Sequence, residues 1–313
     1  MVRSKPVTAS VHKKPPLRRL MESWQLYVLL LPTMAYMLVF NYVPMYGLQI
    51  AFRNYEARSG FWGSTWVGVR HFRDFFSSPQ FSQLLINTLR ISLTSLVFSF
   101  PLPILLALLM NEVKNRRVKK WIQNITYAPY FISTVILVSI INVFLARTDG
   151  LINQLLRSMG GESVDFLGKA KLFVPIYVIS SLWQHTGWSS IIYIAALSGV
   201  DLELHDAAQI DGANLVQRIW HINLPCILPT AVIMFVLSCG HIMSVGYEKI
   251  YLMQNSINLS ISEVISTYVY KVGLIKVQFS YTTAIGLFNN VINVALLLLS
   301  NYMARKLTDV SLF

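Results

Sequence analysis

The chain has 313 residues, of which 54% are hydrophobic and 13% are charged, and its formal net charge is +12. A soluble domain normally carries about a quarter charged residues. This composition, with a mean hydropathy of +0.52, therefore excludes an ordinary soluble domain and predicts an integral membrane protein. The positive charge is concentrated at residues 3–19 and 114–120, beside apolar stretches, which indicates membrane topology rather than nucleic-acid binding.

The apolar stretches approach or exceed twenty residues, the length that an α-helix needs to cross the hydrocarbon core of a bilayer. They predict an all-α membrane fold with six transmembrane helices, at about residues 24–46, 83–110, 121–146, 172–198, 225–247 and 281–303. The first stretch is too long for the apolar part of a signal peptide, and no A-x-A cleavage site follows it. We therefore expect it to be retained as the first span.

Lysine and arginine in the connecting segments predict the orientation of these spans. Residues 1–23 form a basic tail, and the segment "NEVKNRRVKK" (111–120) is a short basic loop. Cytoplasmic loops are enriched in these two residue types. We therefore expect both termini, the 111–120 loop and the 199–224 loop to lie in the cytoplasm.

The loop 47–82, expected on the outside, contains several aromatic residues, among them Phe61, Trp62, Trp66 and Phe72. Either a belt at the membrane interface or a docking surface would account for them. Near the outer end of the second span lies Arg90, the one basic residue inside a predicted span. We favour a side chain that extends outward to the membrane surface; attraction of an acidic solute and contact with a partner subunit are the alternatives.

Polar residues inside membrane spans are costly and usually face a cavity or a neighbouring helix. In the fourth span, Gln184 and His185 lie between Trp183 and Trp188, so hydrogen-bonding groups stand beside flat apolar faces. Together with Gly187 they are predicted to interrupt this span. The fifth and sixth spans add Ser238, His241, Ser244, Asn289, Asn290 and Asn293. We predict that these polar and aromatic residues line a solute path; hydrogen bonding between helices is the alternative.

Residues 199–224 form a polar connector between the fourth and fifth spans. A short helix is predicted from Leu202 to Asp211, and Gly212 suits its end because glycine readily adopts the left-handed conformation. Alanines within this helix would let another surface approach its backbone closely. The pattern predicts a mechanical link from a cytosolic partner into the membrane. An amphipathic helix lying on the membrane is disfavoured, because Arg218 is the one basic residue of this stretch.

The connector contains "DAAQIDGA" and "INLP", and together they resemble the cytoplasmic EAA loop of binding-protein-dependent ABC importer permeases. That loop reads E-A-A-x-x-x-G, then nine further residues, then I-x-L-P. The matching residues, with the D-G-A seen in sugar permeases, are Asp206, Ala207, Ala208, Asp211, Gly212, Ala213, Ile222, Leu224 and Pro225. Asp206 departs from the usual Glu: it keeps the charge on a side chain one methylene shorter.

The resemblance covers nearly the whole chain from about residue 24. It is with permeases of lipoprotein-linked or aldouronate-type oligosaccharide importers, a subgroup that includes an alginate importer permease. The segments that carry it are "FNYVPMYGLQIAF" (40–52), "ALLMNEVKNRRVKKWIQNITYAPYFIS" (107–133), "GWSSIIYIAAL" (187–197) and "YTTAIGLF" (281–288).

This resemblance implies a type I (MetI-like) permease fold in the bacterial cytoplasmic membrane and import of an oligosaccharide, with an acidic, uronate-like sugar expected. The implied partners are a second homologous permease in a heterodimer, two cytosolic ATPase subunits and an extracytoplasmic solute-binding protein. The 202–212 helix would sit in a groove on an ATPase subunit. The sequence has no Walker A pattern, G-x-x-x-x-G-K-[ST]. We therefore expect no cofactor on this chain, and ATP and Mg on the ATPase subunits.

Two other functions remain open: a permease for a neutral oligosaccharide or another solute, and a membrane-embedded enzyme. The enzyme is disfavoured because the sequence has no H-E-x-x-H or G-x-S-x-G motif and no acidic metal cluster beside a span. An ion channel is disfavoured because no filter sequence of the T-V-G-Y-G kind is present.

Overall fold

The computed structural model describes residues 24–308 and 310–313, so the predicted basic tail, residues 1–23, lies outside the described residues. The chain divides into two compact units between Ile50 and Ala51. One short antiparallel pair joins β1 (Arg53–Asn54) to β2 (Thr65–Trp66). The remaining regular structure of the described residues is helical, which agrees with the predicted all-α class.

The helices fall into long, apolar ones and shorter connecting ones. In chain order they are α1 (Trp24–Phe52), α2 (Gly60–Gly63), α3 (Arg70–Phe76), α4 (Phe81–Asn111), α5 (Arg116–Phe131), α6 (Thr134–Leu145), α7 (Leu151–Ser158), α8 (Phe173–Leu197), α9 (Leu202–Ile210), α10 (Leu215–Cys239), α11 (Tyr247–Met253), α12 (Leu259–Ser262), α13 (Ile265–Val269) and α14 (Phe279–Thr308).

Four helices of the described residues, α1, α4, α10 and α14, are long and apolar enough to cross a bilayer. A fifth candidate arises if α5 and α6, which are bent by 99° at a short break, count as one span. The fourth predicted span corresponds to α8, which has 25 residues. Each predicted span thus matches a helix or a helix pair, while six membrane crossings and their orientation stay predictions.

The third predicted span, 121–146, is a broken helix pair, and its internal proline, Pro129, predicts such a break. Pro129 lies in the 3-10 turn that ends α5, and the side chain of Ser133 caps α6 by accepting from the Ile136 amide. The break leaves the Ile132 carbonyl without a helical partner. The amide of Gln184 on α8 donates to this carbonyl at 2.8 Å, so a polar side chain from another helix replaces the missing bond.

The predicted interruption of the fourth span at Gln184, His185 and Gly187 is wrong, because α8 is continuous. The Gln184 amide bonds across to the α5–α6 break, and His185 Nδ1 lies 3.0 Å from the Ser181 carbonyl one turn earlier. Gly187 is needed for packing instead: a Cβ at this position would overlap the backbone carbonyl of Thr126 on α5. The polar residues therefore serve contacts between helices without breaking their own helix.

The fifth span begins at Leu215 rather than 225 and its helix ends at Cys239 rather than 247. A capping box starts it: Asn214 Oδ1 accepts from the Gln217 amide at 2.9 Å, and Gln217 Oε1 accepts from the Asn214 amide at 2.8 Å. Pro225 lies two residues after a π turn over Ile219–Asn223. Proline is thereby accommodated inside a continuous helix, since such widened turns relax the regular bonding pattern.

Three apolar clusters hold the second unit together. The first joins α4, α8 and α10 through Ala107, Leu108, Tyr193, Leu197, Ile227 and Ala231. The second joins α4, α6, α8 and α11, and the third joins α3, α4, α13 and α14. Because α8 contributes to the first two clusters, its position decides how α4 and α10 lie beside each other.

We expect Gly187→Ala to destabilise the folded protein, because the added methyl group overlaps the backbone of Thr126. Overpacking of this kind typically costs about 1–3 kcal/mol, and it should lower the Tm of the purified protein in detergent. Gly286→Ala on α14 is the matched control, since a Cβ there meets nothing within 4 Å. Equal Tm values for the two variants would contradict the close crossing of α8 and α5.

Candidate functional site

The connector between α8 and α10 folds as its sequence predicts. Asp201 caps α9 by accepting from the Glu203 amide at 3.0 Å. At the other end, the Ala213 amide donates to the Ala208 carbonyl at 2.9 Å, and Gly212 has a φ of +79°. This is a Schellman ending, in which glycine takes the left-handed conformation. The predicted short helix and its glycine end are both confirmed.

Most of the surface of α9 is exposed: none of its residues is buried, and only His205 and Ala208 are partly covered within the described chain. Two of its apolar side chains, Leu202 and Ile210, are 75% and 87% exposed, and Asp206 and Ala207 are also exposed. Beside the helix lies a recess of about 310 Å³, lined by Ala208, Asp211, Gly212, Ala213, Gln217, Arg218, His221 and Ile222. Apolar side chains displayed next to a recess are typical of a surface that another protein covers.

The INLP end of the connector joins this surface to the helical core. Leu224 packs against the cluster that joins α4, α8 and α10, whereas Pro225 is exposed. Between them and the recess, Asn223 is fully buried, and its Nδ2 donates to Glu112 Oε1 at 3.1 Å. Sequence reasoning missed this pair. The feature of the sequence that could have indicated this pair is Glu112, the one acidic residue of the otherwise basic 111–120 loop.

A groove with several serines in its lining lies between α4, α8, α10 and the turn that follows α10. It consists of two recesses, of about 450 Å³ and about 250 Å³, which share Ser95, Ser99 and Tyr177. The larger is bounded by α4, α10 and the turn, and the smaller by α4 and α8. We refer to the two recesses together as the serine groove, because its lining includes Ser92, Ser95, Ser99, Ser181, Ser189, Ser238 and Ser244.

Two hydroxyl groups of the serine groove have unmet hydrogen-bonding capacity. The Oγ atoms of Ser92 and Ser95 are buried and have no hydrogen-bond partner among the described residues. Buried polar groups are nearly always paired, so these two hydroxyls mark an unmet hydrogen-bonding demand in the wall of the groove. No acidic residue is found among the described residues that line either recess. The groove therefore offers hydroxyl and imidazole groups without opposing an anion.

Sequence reasoning identified part of this lining. His185, Ser238, His241 and Ser244 line the serine groove, and their role in a solute path stays a prediction. The serines of α4 were missed, although their spacing of three and four residues, at 92, 95 and 99, places them on one face of a helix. Such a stripe inside an apolar helix is the signal that would have found them.

The remaining candidates of the fourth span have other contacts. Trp188 stacks on Tyr130 of α5, with ring centroids 4.4 Å apart and planes tilted by 4°. Trp183 is 52% exposed, outside both recesses, and Gln184 bonds to the α5–α6 break as described above. These three residues are brought to the surface and to the α5–α8 contact rather than to the groove.

The asparagines of the sixth span hold the turn after α10. Asn293 Oδ1 accepts from the Met243 amide at 2.9 Å and its Nδ2 donates to Ser244 Oγ at 2.7 Å. Asn289 Nδ2 donates to the Met243 carbonyl at 3.0 Å. Asn290, by contrast, is exposed. The alternative of hydrogen bonding between elements therefore describes Asn289 and Asn293, and their amides shape the groove from behind.

Two arginines that are predicted to lie towards the outside, Arg90 and Arg53, have exposed or aromatic surroundings. Arg90 is exposed on α4, close to the exposed side chains of Ile86 and Leu93. In the predicted outer loop, the guanidinium of Arg53 lies 5.9 Å from the ring centroid of Trp62 and 5.7 Å from that of Trp66. Part of the aromatic loop is thus a cation–π arrangement built around Arg53.

Residues 99–309 match the family described as binding-protein-dependent transport system inner membrane component. The chain belongs to this family. Among its relatives, the protein LplB of Bacillus subtilis is 44% identical over 93% of this chain and 92% of its own length. The polygalacturonan/rhamnogalacturonan transport system permease protein YteP of the same species is 42% identical over 98% and 97%.

The fold has a counterpart of known structure. A crystal structure of a bacterial ABC transporter involved in the import of the acidic polysaccharide alginate has a chain that matches with a TM-score of 0.86 and 40% identity, over 93% of this chain and 99% of that chain. A second structure, of a bacterial alginate ABC transporter in complex with an alginate pentasaccharide-bound periplasmic protein, matches with the same TM-score over 95% and 99%.

Membership of the transport family places the site in a permease. The chain is a non-catalytic membrane component of a binding-protein-dependent ABC transporter. The serine groove is therefore a candidate for solute passage, and the exposed connector is a candidate for contact with a further subunit.

We expect Asn293→Leu to destabilise this permease, because it leaves the Met243 amide and the Ser244 hydroxyl without their partner. Unmet buried groups cost about 1–3 kcal/mol each, so the Tm in detergent should fall clearly. Asn290→Leu makes the same exchange three residues earlier at an exposed position and should leave the Tm nearly unchanged. A larger loss for Asn290→Leu would show that the asparagine contacts are assigned wrongly.

Proposed function

We propose that this chain is the permease half of an ATP-driven importer that moves an acidic oligosaccharide across the cytoplasmic membrane by alternating access. The observation that carries the proposal is the serine groove: hydroxyl groups line it, two of them are buried and unpaired, and no described lining residue is acidic. Sugar hydroxyls would bond to the serines, and a carboxylate would meet no like charge.

The relatives support the substrate class. One relative is named for transport of polygalacturonan and rhamnogalacturonan, and the structural counterpart is named for import of the acidic polysaccharide alginate. Similarity at 40% identity or more over nearly the full length of each chain makes a shared substrate chemistry the natural inference. A neutral oligosaccharide is the competing substrate class, because serine hydroxyls alone would also accept it.

The proposed assembly contains four further subunits and binds nucleotide outside this chain. A second homologous permease would complete the membrane pathway, two cytosolic ATPase subunits would bind ATP and Mg, and an extracytoplasmic solute-binding protein would deliver the sugar. Six membrane crossings with both termini in the cytoplasm complete the topology. In support, the structural counterpart in complex with a periplasmic protein has the same fold over 99% of its chain.

The connector would carry the coupling. We place α9, Gly212 and the INLP end at the interface with an ATPase subunit, with Ala207 and Ala208 allowing close approach. Closure of the ATPase subunits around ATP would move α9, and Leu224 would pass the motion to the cluster that joins α4, α8 and α10. Such coupling requires two states of the permease that nucleotide and loaded binding protein favour differently.

We expect Ala207→Arg to leave the transporter assembled and to lower ATPase activity stimulated by the binding protein by about tenfold or more, as at other interface hot spots. A long cation in place of a methyl group would hold the ATPase surface away from α9. Gln209→Arg adds the same charge about 200° further around the same helix and should retain most of the stimulation. Undiminished coupling in Ala207→Arg would refute the proposed contact.

The substrate class is tested by uptake into liposomes that contain the complete transporter and ATP. We expect saturable import of an alginate pentasaccharide and weaker import of the same oligosaccharide after reduction of its carboxyl groups. Stronger import of the reduced form would exclude an acidic substrate. Import of neither form, in a preparation with active ATPase, would exclude an alginate-like oligosaccharide as the substrate.

A further inference from the structure

One buried cation stands beside the serine groove, and no contact described so far uses it. Lys249 is the third residue of α11, and only 8% of the residue is exposed. Lysine is almost never buried to this degree without a partner of opposite charge, because removing an ammonium group from water is costly. Its burial therefore requires a specific explanation.

The contacts of Lys249 are all neutral. Its Nζ donates to Ser181 Oγ at 2.6 Å and to the Tyr177 carbonyl at 3.3 Å, and it lies 4.9 Å from the ring centroid of Tyr177. Within the described residues, the ion pairs are Lys271 with Glu263 at 2.8 Å and Arg70 with Asp74 at 3.9 Å. No carboxylate of the described chain thus balances the charge of Lys249.

The position of Lys249 directs its charge to the groove. Tyr177 and Ser181 line the smaller recess, and Tyr177 also lines the larger one. Ser181 Oγ accepts from Lys249, and its hydroxyl hydrogen also lies within reach of the Tyr177 hydroxyl. A carboxylate in the smaller recess would therefore take that hydrogen in competition with Tyr177. The residues that precede α11, Val245 and Gly246, line the larger recess. The ammonium therefore lies one hydrogen bond behind the wall of the groove.

The protonation of Lys249 is responsive to a bound anion. Burial lowers its pKa to about 7, because a low-dielectric surrounding disfavours the charged form. A carboxylate placed against Ser181 would favour the charged form and raise the pKa again. An acidic ligand would thereby gain an attraction that a neutral ligand of the same shape does not receive.

We propose that Lys249, acting through Ser181, is the carboxylate-recognition site of the groove and selects acidic over neutral oligosaccharides. This inference rests on the proposed function and adds the residues that decide the substrate class. The competing role is structural: Lys249 also fastens α11 to α8, and its neighbour Ile250 belongs to the apolar cluster that joins α4, α6, α8 and α11.

The test is uptake by the complete transporter in liposomes at pH 7, with an alginate pentasaccharide and its carboxyl-reduced form as probes. Lys249→Met keeps most of the side-chain length and removes the charge. We expect it to lower uptake of the acidic probe by about tenfold or more, as for loss of a charged hydrogen bond, and uptake of the reduced probe by less than about twofold. Lys249→Arg should restore part of the preference.

Two further variants separate recognition from structure. Lys276→Met removes the same charge from an exposed position and should leave both uptakes unchanged. Ser181→Ala leaves Lys249 in place and should raise the KM for the acidic probe alone. It also decides the matter if Lys249→Met does not assemble, since equal effects of Ser181→Ala on the two probes would overturn the proposal.

The remaining outcomes are equally decisive. Unchanged uptake of the acidic probe in Lys249→Met, or equal loss of both probes, would overturn the recognition role while the proposed function stands. Failure of the unmodified transporter to import the acidic probe would instead defeat the proposed substrate class, and this inference with it.

Discussion

Backbone groups that lose their helical partners are bonded by side-chain amides in this protein, and the rest of the structure depends on that. Gln184 bonds the carbonyl at the α5–α6 break, and Asn293 bonds the turn after α10. Asn87 donates to the carbonyls of Ser260 and Glu263 at 2.9 and 3.0 Å. In an apolar surrounding an unpaired backbone group is costly. These amides therefore permit breaks between helices that would otherwise leave backbone groups unpaired.

The breaks in turn shape the serine groove. Because the turn after α10 is held by amides of α14, His241 and Ser244 reach a groove that a longer α10 would have closed. The amide side chains mostly bond to the backbone, although Asn293 also donates to Ser244 Oγ. Serine hydroxyls line the groove, and the buried charge of Lys249 stands behind one of those serines.

Sequence reasoning succeeded where the cause is local. The helix α9, its glycine end and the family resemblance all depend on residues within a few turns of one another. It indicated the α5–α6 break through Pro129, but it failed for α8, where the polar side chain of Gln184 bonds Ile132, 52 residues away, without interrupting its own helix. The serine groove was only partly predicted for the same reason. Its walls come from three helices that are distant in sequence, and Lys249, which lies behind one wall, belongs to a fourth helix, α11.

The bond between Asn223 and Glu112 gives the connector a second connection to the helical core. One connection runs along the chain from α9 into α10. The other crosses from Asn223 to Glu112, which directly follows α4. If a partner displaced α9, α10 and the end of α4 would move with it. Two of the three helices that form the groove would then shift together, and the width of the groove would change.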